Sequence, residues 1–154
     1  MARYTAPVAM RWNDMDAYGH VNNVVFLQYL EEARIEMFAG LAEEAQLAGD
    51  EAILSRGVVV ASSSIDYLRP LVHRTEPVPI DVWVSRIGGA SFHLGYEVHD
   101  EGGGVVYARA RSVMVPYDFV RETPRRITPR EREFLQKYLE PDVDDPRAPA
   151  VRRR

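Results

Sequence analysis

The sequence predicts an α+β domain of two layers, with one long helix laid on an antiparallel sheet. Three observations carry this reading. Apolar residues recur at spacings of four and three from Phe26 through Leu30, Ala33 and Met37 to Leu41, which is one buried face of a helix. Four stretches after residue 57 alternate apolar with polar or small side chains, the period-two signature of strands. The last three of these are separated only by short turns, Gly88-Gly89 and the glycine-rich 100–104, so they should be antiparallel neighbours. A single helix covering such a sheet makes two layers.

Taken in order, residues 1–5 read as a lead-in. Residues 6–13 read as the first strand, with Val8, Met10 and Trp12 alternating. Residues 15–23 form a turn, where Gly19 can adopt whatever backbone angle is needed. The main helix spans 24–41, with Asn22 or Asn23 as its N-cap. Residues 42–55 are a weaker helical patch or ordered loop, interrupted at Gly49 and Asp50. Strands follow over 58–68, 77–87, 91–99 and 105–115. Arg69-Pro70 ends the first of these four and Pro116 the last. Residues 117–127 are irregular. Thr128, Pro129 and Glu131 then supply an N-cap, a proline at the first helical position and a capping-box acid. Phe134, Leu135, Tyr138 and Leu139 are the apolar side of that short helix. From Pro141 there is little left to bury, so the domain is placed at 1–140 and a flexible tail at 141–154.

The composition narrows the function. A chain of 154 residues suits one domain, and a net charge of −4 argues against a nucleic-acid partner. The absence of cysteine removes disulfides, a thiolate nucleophile and thiolate-bound metal. The four histidines have no metal-ligand spacing. No run approaches the roughly 20 apolar residues of a membrane span, and no secretory leader is recognisable. The expectation is a cytoplasmic protein with no membrane partner. Apolar and aromatic residues fall on both alternation sets of the later strands, which predicts a homodimer, with a tetramer as the next assembly.

The chemistry gathers in residues 11–34, RWNDMDAYGHVNNVVFLQYLEEAR. Asp14 and Asp16 stand where extended chain turns into helix, beside backbone N–H groups that have no intrahelical partner. From the residues alone, each acid can be a turn cap or a catalytic group. Gly102 to Gly104 lack the strand–glycine–helix context of a phosphate loop.

This stretch resembles the opening motif of the hotdog-fold acyl-CoA thioesterases, the 4-hydroxybenzoyl-CoA thioesterase group. The resemblance covers about 8–139 and includes IDYLRP at 65–70 and ARARSVMVPYD at 108–118. It implies a long central helix wrapped by a curved antiparallel sheet, and dimers, often tetramers, with active sites at the subunit interface. It implies hydrolysis of an acyl-coenzyme A substrate to free acid and coenzyme A, without a cofactor. It also implies that Asp16 is the catalytic carboxylate, with His20 and Asn23 beside it. An N–H between Val21 and Val24 would receive the thioester oxygen. Asn22, Val24, Tyr29 and Glu32 are implied as substrate contacts. Arg69, Arg86 and the arginines near Arg125 are candidates for the coenzyme's phosphates. Relatives with their acid inside the helix keep Glu31, Glu32 and Glu36 open.

A carboxylate can activate water or attack the thioester itself, and a helix N-terminal N–H favours the negative charge that develops. Two other classes stand beside this one. One is an acyl-thioester hydratase or dehydratase on the same fold, for which Asp16 and His20 would be the pair. The other is a non-enzymatic acyl-thioester binding protein. The sequence leaves open the acyl group, and whether coenzyme A or acyl-carrier protein bears it.

Overall fold

The computed structural model describes residues 3–47 and 57–142. Strand β1 (Tyr4–Val8) leads through one 3-10 turn (Trp12–Asp14) into α1 (Asn23–Leu47). Then come β2 (Val58–Tyr67), β3 (Val78–Ile87), β4 (Phe92–His99), β5 (Val106–Asp118), the short β6 (Thr123–Pro124) and α2 (Pro129–Gln136). The sheet order is β1-β3-β4-β5-β2, antiparallel throughout, and β6 pairs with the end of β5. Strands β3, β4 and β5 are consecutive neighbours, as their short connections require. One long helix on one face of this sheet is the hotdog arrangement.

The core is the interface between these layers. Phe26, Leu30, Ala33, Met37 and Leu41 of α1 are buried, as are Ile80, Val82 and Val84, Phe92, Leu94 and Tyr96, and Ala110 and Met114 on the strands. Each large aliphatic side chain so buried contributes roughly 1.5–3 kcal/mol. Among the described residues no helix is long and apolar enough to cross a membrane.

Several boundaries differ from the sequence reading, each for a local reason. The first strand is earlier and shorter, because Asp14 closes a turn over Trp12–Asp14. Its Oδ2 accepts from the Arg11 N–H at 2.8 Å, and its own N–H donates to the Arg11 carbonyl at 3.0 Å. The main helix and the start of the patch after it are one element to Leu47. The rest of that patch, 48–55, lies outside the described residues. Strand β5 runs through Pro116, which was expected to end it. Beyond Met114, opposite Phe92, β4 has already ended, so the missing N–H of Pro116 costs no ladder bond. Helix α2 begins as its capping box predicts, with Glu131 N–H on Thr128 Oγ1 at 3.2 Å and Thr128 N–H on Glu131 Oε1 at 2.9 Å. The expected tail, apart from Pro141 and Asp142, also lies outside the described residues.

The β3 edge is closed in two pieces. β1 pairs with Val78 to Val82. Residues 138–140 then take over, with Val84 N–H on the Tyr138 carbonyl at 2.9 Å and Glu140 N–H on the Val84 carbonyl at 2.8 Å. Arg3 joins the two pieces through Glu140, at 2.9 and 2.7 Å.

The uncovered apolar surface is not where the strand alternation placed it. The outer sheet face is charged: Arg3, Asp81, Glu97, His99, Arg109 and Arg111 form ion pairs across it. The exposed apolar side chains include Val24, Leu27 and Ile35 on a flank of α1, and Val60 and Tyr67 on β2. None of the ten residues of β2, an edge strand, is buried.

Gly95 sits opposite Trp83, and a Cβ there would lie 2.4 Å from the indole, over which the Arg3 guanidinium stacks at 3.8 Å. Gly95→Ala is therefore expected to displace both side chains and cost about 1–3 kcal/mol. Thermal melting and tryptophan emission check this, and an unchanged melt with an unchanged spectrum would refute the packing argument.

Candidate active site

The site is built on the loop between the 3-10 turn and α1. Met15 and Val21 form an antiparallel bridge that pins it. Within it, Asp16 N–H donates to the His20 carbonyl and Gly19 N–H to the Asp16 carbonyl, both at 3.0 Å. Gly19 has φ +76°, the left-handed region that a side chain would strain.

This geometry aims the Asp16 carboxylate. Oδ1 accepts from Tyr18 N–H at 2.9 Å and Oδ2 from Asn22 Nδ2 at 3.1 Å. Asn22 is also the cap of α1, since its Oδ1 accepts the Val24 N–H at 2.9 Å. One amide thus grips the acid and the helix start together. Asp14 has a different task. Its Oδ2 takes the Tyr29 hydroxyl at 2.5 Å as well as the Arg11 N–H, so it ties the turn to the second turn of α1. Burial, and then the Asp14 carboxylate, push the Tyr29 hydroxyl well above its usual range.

Accounting for the N–H groups from Val21 to Val24 singles out one. Val21 N–H donates to the Leu71 carbonyl at 2.8 Å and Asn22 N–H to the Asp14 carbonyl at 2.9 Å, while Val24 N–H is capped by Asn22. The N–H of Asn23 has no acceptor among the described residues. Its carbonyl is held by the Tyr67 hydroxyl at 2.7 Å. A cavity of about 240 Å³ opens here, lined by His20, Asn23, Phe26, Tyr67 and Arg69 among others.

The structure brings Asp16, His20, Asn22, Asn23, Val24 and Arg69 together around the start of α1. It does not bring the remaining candidates with them. Tyr29 is buried with its hydroxyl on Asp14, where it braces the turn. Glu32 lies exposed on the helix surface. Arg86 is eight residues along β3 from Val78, where β1 ends, a distance of roughly 26 Å along the strand. Arg125 is engaged by Glu131 at 2.7 and 2.9 Å. Glu31 pairs with Arg34 at 3.3 Å, and Glu36 lies exposed on the helix surface.

Sequence reasoning missed Tyr67 and Phe26, whose rings meet edge to face at 5.4 Å in the cavity. Tyr67 was visible only as the third residue of IDYLRP. His73 packs edge-on against Trp12 at 5.7 Å. Among the described residues no group of three or more His, Cys, Asp or Glu side chains is placed to hold a metal ion.

The sequence model of the thioesterase-like superfamily matches residues 10–138, from just before this turn to just past α2. The chain belongs to that superfamily. As a thioesterase-like hotdog protein it resembles a predicted thioesterase from Bacillus stearothermophilus, with a TM-score of 0.75 and 26% identity over 92% of this chain and 99% of that one. It also resembles a thioesterase from Thermus thermophilus solved with coenzyme A and zinc, with a TM-score of 0.70 and 29% identity over 87% of this chain and 92% of that one. The uncharacterized protein YsmA of Bacillus subtilis is 35% identical over 89 residues, which are 58% of this chain. This chain spans only 56% of the length of that curated relative.

Proposed function

We propose that the protein hydrolyses an acyl-coenzyme A thioester to the free acid and coenzyme A, with Asp16 as the catalytic carboxylate. The observation that carries this reading is the shared grip of Asn22, which fixes Asp16 against a helix start whose Asn23 N–H has no acceptor among the described residues. Asp16 takes a proton from water as the water attacks the thioester carbon, or attacks that carbon itself. The carbonyl oxygen gains charge and is met by the Asn23 N–H and the positive end of the helix dipole. The C–S bond then breaks, and the coenzyme leaves as a thiolate that picks up a proton from solvent. His20 holds the loop by its carbonyl, with its ring at the cavity wall. Arg69, exposed at the same cavity, offers positive charge to the coenzyme's phosphates. The Thermus relative's complex with coenzyme A supports this choice of carrier.

The working unit in this reading is a homodimer, with a tetramer as the next assembly. Strand β2 leaves one side of its ladder unpaired, beside the exposed Val24, Leu27 and Val60. A second copy pairing there by two-fold symmetry would extend the sheet and close over that flank, leaving the space between α1 and β2 for the acyl group. Sedimentation at micromolar concentration is expected to give at least twice the 17.5 kDa chain mass, and a lone 17.5 kDa species would refute it.

A panel of aromatic and aliphatic acyl-CoA thioesters, followed by free thiol release, tests the reaction. A hydratase would change the acyl group without releasing thiol, and a binding protein would do neither. Failure to release thiol from any member of the panel overturns the proposal.

A further inference from the structure

A second cavity, of about 220 Å³, lies between α1 and β2. Its lining begins at Val24, next to the N–H of Asn23, and passes Leu27 and Leu30 to Arg34, with Val60 facing from β2. The ten steps from Val24 to Arg34 cover about 15 Å of helix, and side chains on a helix lean back toward its start. A medium-length chain anchored at the helix N-terminus would thus reach the Arg34 guanidinium.

Gln28, Glu31, Ser63 and Arg111 also line this groove, and its far end is polar. The Arg34 side chain is only 13% exposed. Tyr96 and Ser112 line the same cavity, and their hydroxyls share a 2.6 Å hydrogen bond. Tyr96 and Ser112 are both buried. Placing a cation and two hydroxyls at the end of an apolar groove is costly unless they are fully partnered. The carboxylate available to Arg34 is Glu31, 60% exposed at 3.3 Å, in a solvent-screened pairing of the kind that contributes little. A guanidinium carries five N–H donors, more than Glu31 engages.

We propose that this groove takes an acyl group bearing a carboxylate at its far end, read by Arg34 with the Tyr96 hydroxyl. The proposal rests on the thioesterase reading, which sets the acyl carbonyl at the start of α1. A planar guanidinium matches a carboxylate as a two-pronged donor. A hydrocarbon tail of equal length would bury Arg34 further and give it no acceptor. Acyl groups too short to reach Arg34 gain nothing from it.

The test compares octanedioyl-CoA with octanoyl-CoA by thiol release, and the non-hydrolysable thioether analogues of both by calorimetry. The wild type is expected to favour octanedioyl-CoA in kcat/KM by at least about a hundredfold, since sites built to hydrogen-bond a group reject analogues that lack it. The preference should lie mainly in KM. Arg34→Met should bring the ratio close to one, and Arg34→Lys should restore part of the preference. If Arg34→Met does not fold, Tyr96→Phe is measured instead, with a smaller loss of preference expected and an unchanged ratio counting against the proposal. Hydrolysis of both substrates without preference for octanedioyl-CoA overturns it and leaves the thioesterase reading standing. If neither is hydrolysed, that reading loses support and the thioethers decide the groove. Tighter octanedioyl binding that Arg34→Met abolishes upholds it, and equal affinities overturn it.

Discussion

Asp16→Asn is expected to lower kcat by at least about a hundredfold, the usual range for losing a general base. The nucleophilic route would lose at least as much, so the variant reports that the acid is essential without telling base from nucleophile. Binding of acyl-CoA should survive, because asparagine keeps the size of the group and removes a negative charge from the site of an anionic ligand. Stability should fall only slightly. The new amide can satisfy Tyr18 N–H or Asn22 Nδ2 with its one oxygen but not both, a loss of about 1 kcal/mol. Asp14→Asn should show the reverse pattern, since Asp14 anchors Arg11 and Tyr29 and its loss harms the fold more than turnover. His20→Ala should fall between them. Steady-state hydrolysis and substrate binding are measured separately for each variant. Near-normal turnover in Asp16→Asn, with turnover abolished by Asp14→Asn or by changes at Glu31, Glu32 or Glu36, would move the catalytic acid elsewhere.

Glu131→Ala is expected to be the most destabilising single change near the second helix. Glu131 is 0% exposed and holds both terminal nitrogens of Arg125, at 2.7 and 2.9 Å, and the Thr128 N–H. Truncation leaves the guanidinium, itself 25% exposed, without its partner and opens the capping box. Breaking such a buried pair from one side costs about 3–5 kcal/mol. At about 2–4 °C per kcal/mol for a chain of this size, the melting midpoint should drop by roughly 10 °C. Glu131→Gln keeps the shape and one acceptor and should lose about half as much. Turnover of the protein that remains folded should not change, because α2 packs on β3, where 138–140 join it at Val84, far from the Asp16 loop. A midpoint shift below about 1 °C in Glu131→Ala would mean the pair is screened as a surface pair is.

The features legible in the sequence were those with a strong local cause. The capping box at Thr128 and Glu131 reads directly because it depends on residue types three positions apart. The strand alternation from Ile80 to Val98 is legible because one face of those strands is buried and the other is not. The loop from Asp14 to Asn23 was legible as a candidate site because acid, glycine, histidine and two asparagines stand at fixed spacing. What stayed hidden was decided by partners distant in sequence. Tyr29 reads as a substrate contact until its hydroxyl is seen on Asp14. Arg86 reads as a phosphate ligand until β3 carries it to the other end of the sheet. Pro116 reads as a strand end because the sequence cannot show that β4 stops two residues earlier. The surface left for a partner was also misplaced, since alternation alone does not tell that β2 stands at the edge.

The divided cover of β3 bears on how the chain comes together during synthesis. One side of β3 closes as soon as β4 follows it, through a tight turn at Gly88-Gly89. The other side depends on β1, made long before, and on residues 138–140, made long after. Arg3 and Glu140 meet across 137 positions of sequence. Until the later segment emerges, Val84 presents bare N–H and C=O groups to whatever strand is nearby. A nascent chain halted before residue 138 would keep its helix-on-sheet core and lack only this clasp. Its failure would then appear first as chains sticking to one another, ahead of any loss of the core.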